Sequence, residues 1–533
     1  MDIRIHTEKN ILQIVKCDSY EHKALKNYLN RHTKNYRFDQ RYKMGIWDGK
    51  IPFYNADGLI SLGLWKEVLK CCQDLGYSFN ILNKDDFPLN RSITENSFKE
   101  WVSDFFKYHK DKNGNPFIPR DYQISAAYSV IRNRYCLVEV ATSGGKSLIF
   151  SLFALFVLSK RPQSKILLIV PSISLVTQFY NDLLDYNYGF NEENLNPLKL
   201  EIEELMSDKP RKVAPGKNPN IYIGTYQSLV AYPKTWFKQF DAVGIDESHS
   251  SVSKSIQKIM KNCIPSAYYR FGMSGTFPDP DGAEILTIQS VTGPIIKEVK
   301  AHSLIDKGMI TKVKIKVVHI NHNVKEFYDK LLKIKKADGK TAYEIEKKYV
   351  QESEKRLKLI AKIATTAKSN TLVMFQNIEH GQAIYNIIKN KIETDKLDII
   401  LHYIDGSVKN NDRTLMKADM ERLDKVRIGI CSYGTFSTGI SINAINNIVL
   451  ADSYKSEQKV LQTIGRALRL HKDKDIAIIF DLVDRFYISE KEINGQLSFI
   501  KPNERTILQN HWYERKGMYE VEKYPIEQIY VNF

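Results

Sequence analysis

The stretch ATSGGKS, Ala141 to Ser147, decides how the rest of this chain is read. It follows one apolar run, Cys136 to Val140, and precedes another, Leu148 to Leu158, so it falls where a buried strand turns into a buried helix. That context suits a phosphate-binding loop. Thr142 and Ser143 lead into Gly144 and Gly145, which let backbone N–H groups close on phosphate oxygens. Lys146 then reaches the β and γ oxygens, and the Ser147 hydroxyl can hold Mg²⁺. The loop departs from the strict pattern, with Val140 at the first glycine position and Ser143 where glycine is common. Taken alone, its alternative is a chance glycine-rich turn.

Downstream, the strand-like AVGI (Ala242 to Ile245) ends in DESH, about 100 residues after the loop. Asp246 suits magnesium, usually through water, and Glu247 can orient and deprotonate an attacking water. A lone acidic pair at a strand end is more often a helix cap. Upstream of the first strand, PRDYQ (Pro119 to Gln123) offers Gln123, whose amide can donate to and accept from adenine, with Arg120 or Tyr122 to stack on the base. SGT (Ser274 to Thr276) comes next, and QTIGRALR (Gln462 to Arg469) sets Arg466 and Arg469 on one side of a helix. Such guanidiniums can meet a γ-phosphate, with Gln462 holding the water or the phosphate; the alternative is an exposed basic helix.

The 533 residues exceed what one hydrophobic core serves, which predicts several domains. With 43% apolar and 26% charged residues the chain can bury substantial cores, which excludes a disordered protein. A net charge of +16 favours a polyanionic partner, because Lys and Arg on phosphates release counterions, although the same balance can serve solubility alone. The scattered cysteines, Cys17, Cys71, Cys72, Cys136, Cys263 and Cys431, make no CxxC pair or metal-spaced cluster, which predicts a reduced, cytoplasmic setting without structural zinc. MDIRIHTEKN has no signal-peptide pattern, and Leu148 to Leu158 is too short to span a bilayer, so no membrane association is expected.

Apolar runs alternate with helical stretches twice. The first set holds Cys136 to Val140, Ile166 to Val170, Asn220 to Gly224 and Ala242 to Ile245; the second holds Leu372 to Phe375, Ile399 to Tyr403, Ile428 to Ser432, Asn447 to Ala451 and Ile476 to Phe480. Both predict parallel sheets covered on two faces, with ligands at the carboxyl ends of the strands. The α/β chain therefore divides into a small α+β domain over 1–105, parallel-sheet domains over 115–300 and 310–490, and an extension over 491–533 with no chemical signal. Residues 325–358, dense in Lys and Glu, read as a solvated helix face.

ATSGGKS, DESH, SGT, SYGTFSTGIS (Ser432 to Ser441) and QTIGRALR, with IVPSISLVTQ (Ile169 to Gln178) and IGTYQS (Ile223 to Ser228), resemble the motif set of superfamily 2 helicases over about residues 115–480. YRFDQRYKMGIWDGKIPFYN (Tyr36 to Asn55) narrows the resemblance to phage recombination and repair helicases. The resemblance implies two tandem RecA-like motor domains that use ATP and Mg²⁺. It implies 3′-to-5′ movement on branched or forked DNA and R-loops, with branch migration, in the host cytoplasm and as a monomer or weak oligomer. It also implies that DNA is touched by Pro171, Ser172, Thr225 and Gln227 from one motor domain, and by Phe375, Gln376, Asp405, Gly406, Ser432 and Thr438 from the other. Gly439 would lie near the nucleotide in the interdomain cleft. Ser441 stands where many relatives have Asp, which leaves its role open.

In the small domain, Arg37, Arg41 and Lys43 are interleaved with Tyr36, Phe38, Tyr42 and Trp47. They can grip a backbone and stack on bases, or be simply a core with a charged rim, with Trp47 packed inside. Two other functions stay in view: a double-strand translocase that does not separate strands, and a DNA-binding scaffold with a weak ATPase. RNA also remains open as a substrate.

Overall fold

The structure is a computed structural model that describes every residue except 111–113, 115, 194–197, 199, 207–216, 264–265, 409, 438–441, 455–456, 468–473 and 488–503; side chains are also not described for 187–193, 410–411, 414, 436–437, 457–459 and 466–467. The chain forms two compact units, Met1–Val299 and Lys300–Phe533, each with a wholly parallel seven-stranded sheet. These are the two parallel-sheet domains the alternation predicts, and the tandem RecA-like folds the resemblance implies.

In the first unit the strands run in the order Ile295–Val299, Tyr135–Val140, Tyr269–Ser274, Ala242–Asp246, Ile166–Val170, Ile221–Thr225, Ile202–Leu205. ILLIV at Ile166–Val170 is buried at every position, as a strand with helices on both faces must be. The helix Lys146–Lys160 is buried from Leu148 to Leu158.

The N-terminal sheet, in the order Leu59–Ser61, Ile11–Lys16, Asp2–His6, Asn80–Ile81, is antiparallel except for its last pair. It does not stand apart from the large sheet. Ile3, Ile5, Leu12 and Leu25 share one core with Tyr135, Leu137, Ile285, Leu286 and Ile288. Gly63 permits the contact, since a Cβ there would lie 2.0 Å from the Gln289 carbonyl oxygen. Asn10 Nδ2 and Ser61 Oγ both donate to the Ser290 carbonyl at 2.9 Å. Arg270, fully buried, donates to Asn10 Oδ1 at 2.9 Å and lies 3.7 Å over the Tyr135 ring. The helix Glu95–Phe105 also packs on the ATP-motif portion of the unit, with the Phe98 ring 5.2 Å from that of Phe156.

The second sheet runs Ile399–Ile404, Val426–Ser432, Thr371–Phe375, Asn447–Leu450, Ile476–Arg485, Lys312–Asn321, Ile526–Asn532. Its last strand and the helix Ile507–Val521 come from the stretch in which the sequence carries no chemical signal. Within 325–358 most charges are exposed or half-buried, but two turn inward. Glu346 accepts from the Thr506 hydroxyl and from the amides of Ile507 and Leu508, the latter two at 2.9 and 3.1 Å. Arg356 donates to Asp484 at 2.9 and 3.1 Å and to the Ala451 carbonyl at 2.7 Å. Among the described residues no helix is long and apolar enough to cross a membrane.

Candidate active site

Three neighbouring strands, Tyr135–Val140, Tyr269–Ser274 and Ala242–Asp246, carry ATSGGKS, SGT and DESH at their carboxyl ends. The topology therefore brings the phosphate loop together with two motifs about a hundred residues or more further along the sequence. Ser143 and Gly145 take left-handed φ values of 69° and 79°, which turns the loop toward the start of the helix Lys146–Lys160 and its partial positive charge. The φ at Gly145 strains any other residue, and a Cβ there would lie 2.3 Å from Gln123 Nε2, which would have to give way.

Tyr122 Oη and Gln123 Nε2 both donate to the Gly144 carbonyl, at 2.9 and 3.3 Å. Gln123 Oε1 accepts from the Arg120 amide at 2.9 Å. PRDYQ thus lies against the phosphate loop, with both ends of the Gln123 amide bonded to protein. Thr142 faces SGT, its Oγ1 3.1 Å from where a Gly275 Cβ would be. Ser147 Oγ lies 3.3 Å from the Tyr186 hydroxyl, a neighbour that the motifs do not announce.

Lys146 Nζ sits between the two acids, 2.7 Å from Glu247 Oε1 and 3.9 Å from Asp246 Oδ1. Burial pushes the Asp246 carboxyl up; Lys146 opposes that and Glu247 adds to it. Asp246 Oδ1 is buried and accepts no hydrogen bond. An oxygen so placed fits a hard cation. One carboxylate and one hydroxyl suit Mg²⁺, which keeps waters and phosphate oxygens as its other ligands. No group of three or more His, Cys, Asp and Glu with metal-binding geometry occurs among the described residues.

Glu247 has φ 49°, in the left-handed region, and opens the short helix Ser248–Val252. His249 Nδ1 lies 3.4 Å from Glu247 Oε2 and 2.9 Å from Ser274 Oγ. Burial lowers the His249 pKa, which favours the neutral ring; Glu247 opposes this and Lys146 reinforces it. A polar relay therefore runs from Lys146 through Glu247 and His249 to the SGT motif. His249 stood inside DESH in the sequence, but nothing in its spacing assigned it a role.

The N-terminal segment, residues 2–82, matches the family described as "DNA helicase UvsW, N-terminal". Residues 116–279 match "Type III restriction enzyme, res subunit", and 354–471 match "Helicase conserved C-terminal domain". The chain is 34% identical to the ATP-dependent DNA helicase uvsW of Enterobacteria phage T4 over 541 aligned residues, covering 100% of each chain. It belongs to the UvsW family of superfamily 2 helicases. The crystal structure of T4 UvsW aligns over 100% of both chains at 30% identity and a TM-score of 0.45. A DNA-bound Type ISP restriction-modification enzyme, LlaBIII, shares the fold at 14% identity and a TM-score of 0.56, covering 78% of this chain and 31% of that one. As a UvsW-family member the chain is an ATP-hydrolysing helicase.

Position divides the residues expected to touch nucleic acid. In the first unit Pro171 and Ser172 are half-buried and Gln227 is exposed, whereas Thr225 is buried at 4% exposure. Thr225 Oγ1 accepts from the Ser228 amide at 3.2 Å, so its side chain caps the helix Tyr226–Leu229. In the second unit the expectation for Phe375 is corrected. Its ring is wholly buried, stacked on Tyr403 at 5.5 Å and covered by Gly381, because it ends a central strand pointing into the core. Gln376, next in the chain, is exposed, and its amide donates to Asp452 Oδ2 at 2.6 Å. Burial alone would raise the Asp452 carboxyl, but His380, Gln351 and that amide hold it at about 2.

Asp405 is buried, and its carboxylate accepts from the Ser407 amide and hydroxyl at 2.8 and 2.6 Å; Gly406 beside it is exposed. Ser432 Oγ donates to Thr435 Oγ1 at 2.8 Å and caps the following turn. Gln462 is half-buried on the helix Glu457–Ala467, on which Arg466 also lies. Thr438, Gly439, Ser441 and Arg469 lie outside the described residues. Arg37, Arg41 and Lys43 are exposed. Trp47 is half-buried rather than packed inside, because its indole lies under Arg41 within its own loop.

Proposed function

We propose that this UvsW-family helicase is an ATP-dependent 3′-to-5′ motor on branched DNA and R-loops that drives fork processing and branch migration in recombination and repair. The observation that carries this reading is the 34% identity to the T4 enzyme over the whole of both chains, N-terminal domain included. In the proposed cycle Lys146 exchanges its bond to Glu247 for the β and γ oxygens of ATP. Glu247, so released, orients and deprotonates the attacking water. Asp246 and Ser147 would hold Mg²⁺, which neutralises charge on the same oxygens.

Gln462, Arg466 and Arg469 are assigned to the γ-phosphate during turnover, and Arg120, Tyr122 and Gln123 to the base. Gly439 is assigned to the nucleotide side as well. Pro171, Ser172, Gln227, Gln376, Gly406, Ser432 and Thr438 are assigned to the DNA backbone, which is gripped without reading sequence. His249 and Ser274 carry the state of the acidic pair to the rest of the first unit.

The test is ATP hydrolysis by wild type and Lys146→Ala with no nucleic acid, single-stranded DNA, forked DNA, an R-loop and single-stranded RNA in turn. Stimulation that is strongest with forks and R-loops and absent in the variant supports the reading. Equal rates with and without nucleic acid refute it, and stimulation by RNA alone moves the substrate class.

A further inference from the structure

We propose that loop 33–49 is a wedge whose apolar apex stacks on the terminal base pair of a duplex arm where DNA strands part, an inference that rests on the branched-DNA reading above. The loop is closed by the antiparallel pair Arg31–His32 and Lys50–Ile51, and by the Thr33 amide donating to the Gly49 carbonyl at 2.9 Å. Several aromatics that the sequence offers as base stackers are engaged within it. His32 stacks on Tyr36 at 4.0 Å, and Tyr36 meets Tyr42 edge-on at 4.8 Å. Arg41 lies 4.8 Å over the Trp47 ring, whose Nε1 donates to the Lys50 carbonyl at 2.8 Å.

A different set is left in solvent. Phe38 is 76% exposed, Met44 71% and Ile46 70%. Lone exposed apolar side chains are ordinary, but three large ones within one short loop call for a partner. Lys34, Arg37, Arg41 and Lys43 surround them in sequence and are all exposed. Asp39 is neutralised by Arg41 at 2.9 Å, so the loop presents net positive charge.

Exposed apolar side chains with basic neighbours in one loop fit the end of an open duplex, where the flat face of the last base pair is apolar and phosphates lie at its rim. A wedge must also bear force. Arg31 donates to the Pro280 carbonyl at 2.7 Å and to Glu67 at 3.1 Å, and the Lys34 amide donates to Glu284 Oε1 at 3.1 Å. Pro280 lies four residues beyond Thr276. The loop is therefore fastened to the segment that begins with SGT, and movement driven by hydrolysis reaches it through that segment.

The test uses the full chain carrying Phe38→Ser, Met44→Ser and Ile46→Ser together, with Phe38→Tyr as the conservative control. These side chains bury little, so the triple variant should keep the wild-type melting temperature. Hydrolysis stimulated by single-stranded DNA should stay within about twofold of wild type, while strand release from a forked duplex falls about tenfold or more, the scale of one lost base stack. A 2-aminopurine at the junction pair should change its fluorescence on binding wild type or Phe38→Tyr without ATP, and keep the signal of the free fork with the triple variant.

Equal unwinding by wild type and triple variant overturns the wedge. So does unchanged unwinding with a shift from dimer to monomer, which would assign the apex to self-association. Loss of single-strand-stimulated hydrolysis in the triple variant also overturns it, because the apex would then serve the tracking strand. A wild-type chain whose hydrolysis ignores all DNA refutes the motor reading itself, a result separable from these.

Discussion

Arg515 grips Asp481 with both arms of its guanidinium: Nε and Nη2 each lie 2.9 Å from a carboxylate oxygen, and both side chains are at most 2% exposed. The third arm, Nη1, donates to Ser453 Oγ at 2.9 Å and to the Tyr454 carbonyl at 3.1 Å, just before the helix that carries Gln462 and Arg466. Tyr519 Oη adds a bond to Asp481 at 2.9 Å. Arg515→Ala leaves a buried carboxylate short of its counter-ion and should cost about 3–5 kcal/mol in the second unit. Urea unfolding checks this, and Arg515→Met with Asp481→Leu should recover most of the loss, because apolar replacement removes the stranded charge as well.

At the nucleotide site, Lys146→Ala should lower ATP turnover by at least about 100-fold, the scale of losing one preorganised charge on the reacting phosphate. Asp246→Asn should abolish the dependence of turnover on Mg²⁺ concentration while retaining nucleotide affinity measured without metal. Fluorescent-nucleotide titrations with and without EDTA distinguish the two losses. A full Mg²⁺ response in Asp246→Asn would remove that residue from the metal's ligands.

His249 and Ser274 form one link, so their losses should not add. Each alanine variant is expected to keep basal hydrolysis and to lose most of the stimulation by DNA, about fivefold to twentyfold, and the double variant should be no worse than either single. Steady-state ATPase assays on the full cycle of variants read this directly. Additive losses would mean the two side chains act separately.

Burial pushes Glu346 up to about 7, against the opposing bonds from Thr506, Leu508 and Ile507. Its folded value lies above the ordinary 4.5, so the folded state holds a proton that the unfolded chain releases. The corresponding stability is fully present below about 4.5 and is lost as the pH rises through about 7, by about 1–3 kcal/mol. Denaturation of the second unit at pH values on either side of that window should show the decline in wild type and a flatter profile in Glu346→Gln.

The parallel strands were legible because burial on both faces writes itself as unbroken apolar runs, Ile166–Val170 being read with its observed bounds. The phosphate loop and acidic pair were legible for a related reason: strand ends place their chemistry, and the sequence shows where strands end. Phe375 misled because a motif at a strand's end does not say which of two adjacent residues turns outward; the exposed one is Gln376. Glu346 and Arg356 were hidden in helices whose other charges are mostly solvated, where composition cannot pick out an inward-facing position. The edge strand Ile526–Asn532 is only half covered and mixes polar with apolar residues, so it left no run to read. The cap that Thr225 supplies was not read, although a threonine at a strand-to-helix junction commonly satisfies the helix's own amides.

The strand Lys312–Asn321, near the start of the second unit, lies between Ile476–Arg485 and Ile526–Asn532. During synthesis the first unit can close on itself as soon as Val299 has left the ribosome. The second has to keep its earliest strand waiting, with neither neighbour present, until Ile476–Arg485 has emerged, and with one edge open until Ile526–Asn532 follows. A stalled or prematurely cut chain would thus carry a finished nucleotide-binding half joined to an open, strand-hungry sheet edge. That asymmetry makes the late portion of translation the interval in which aggregation and chaperone capture compete with folding.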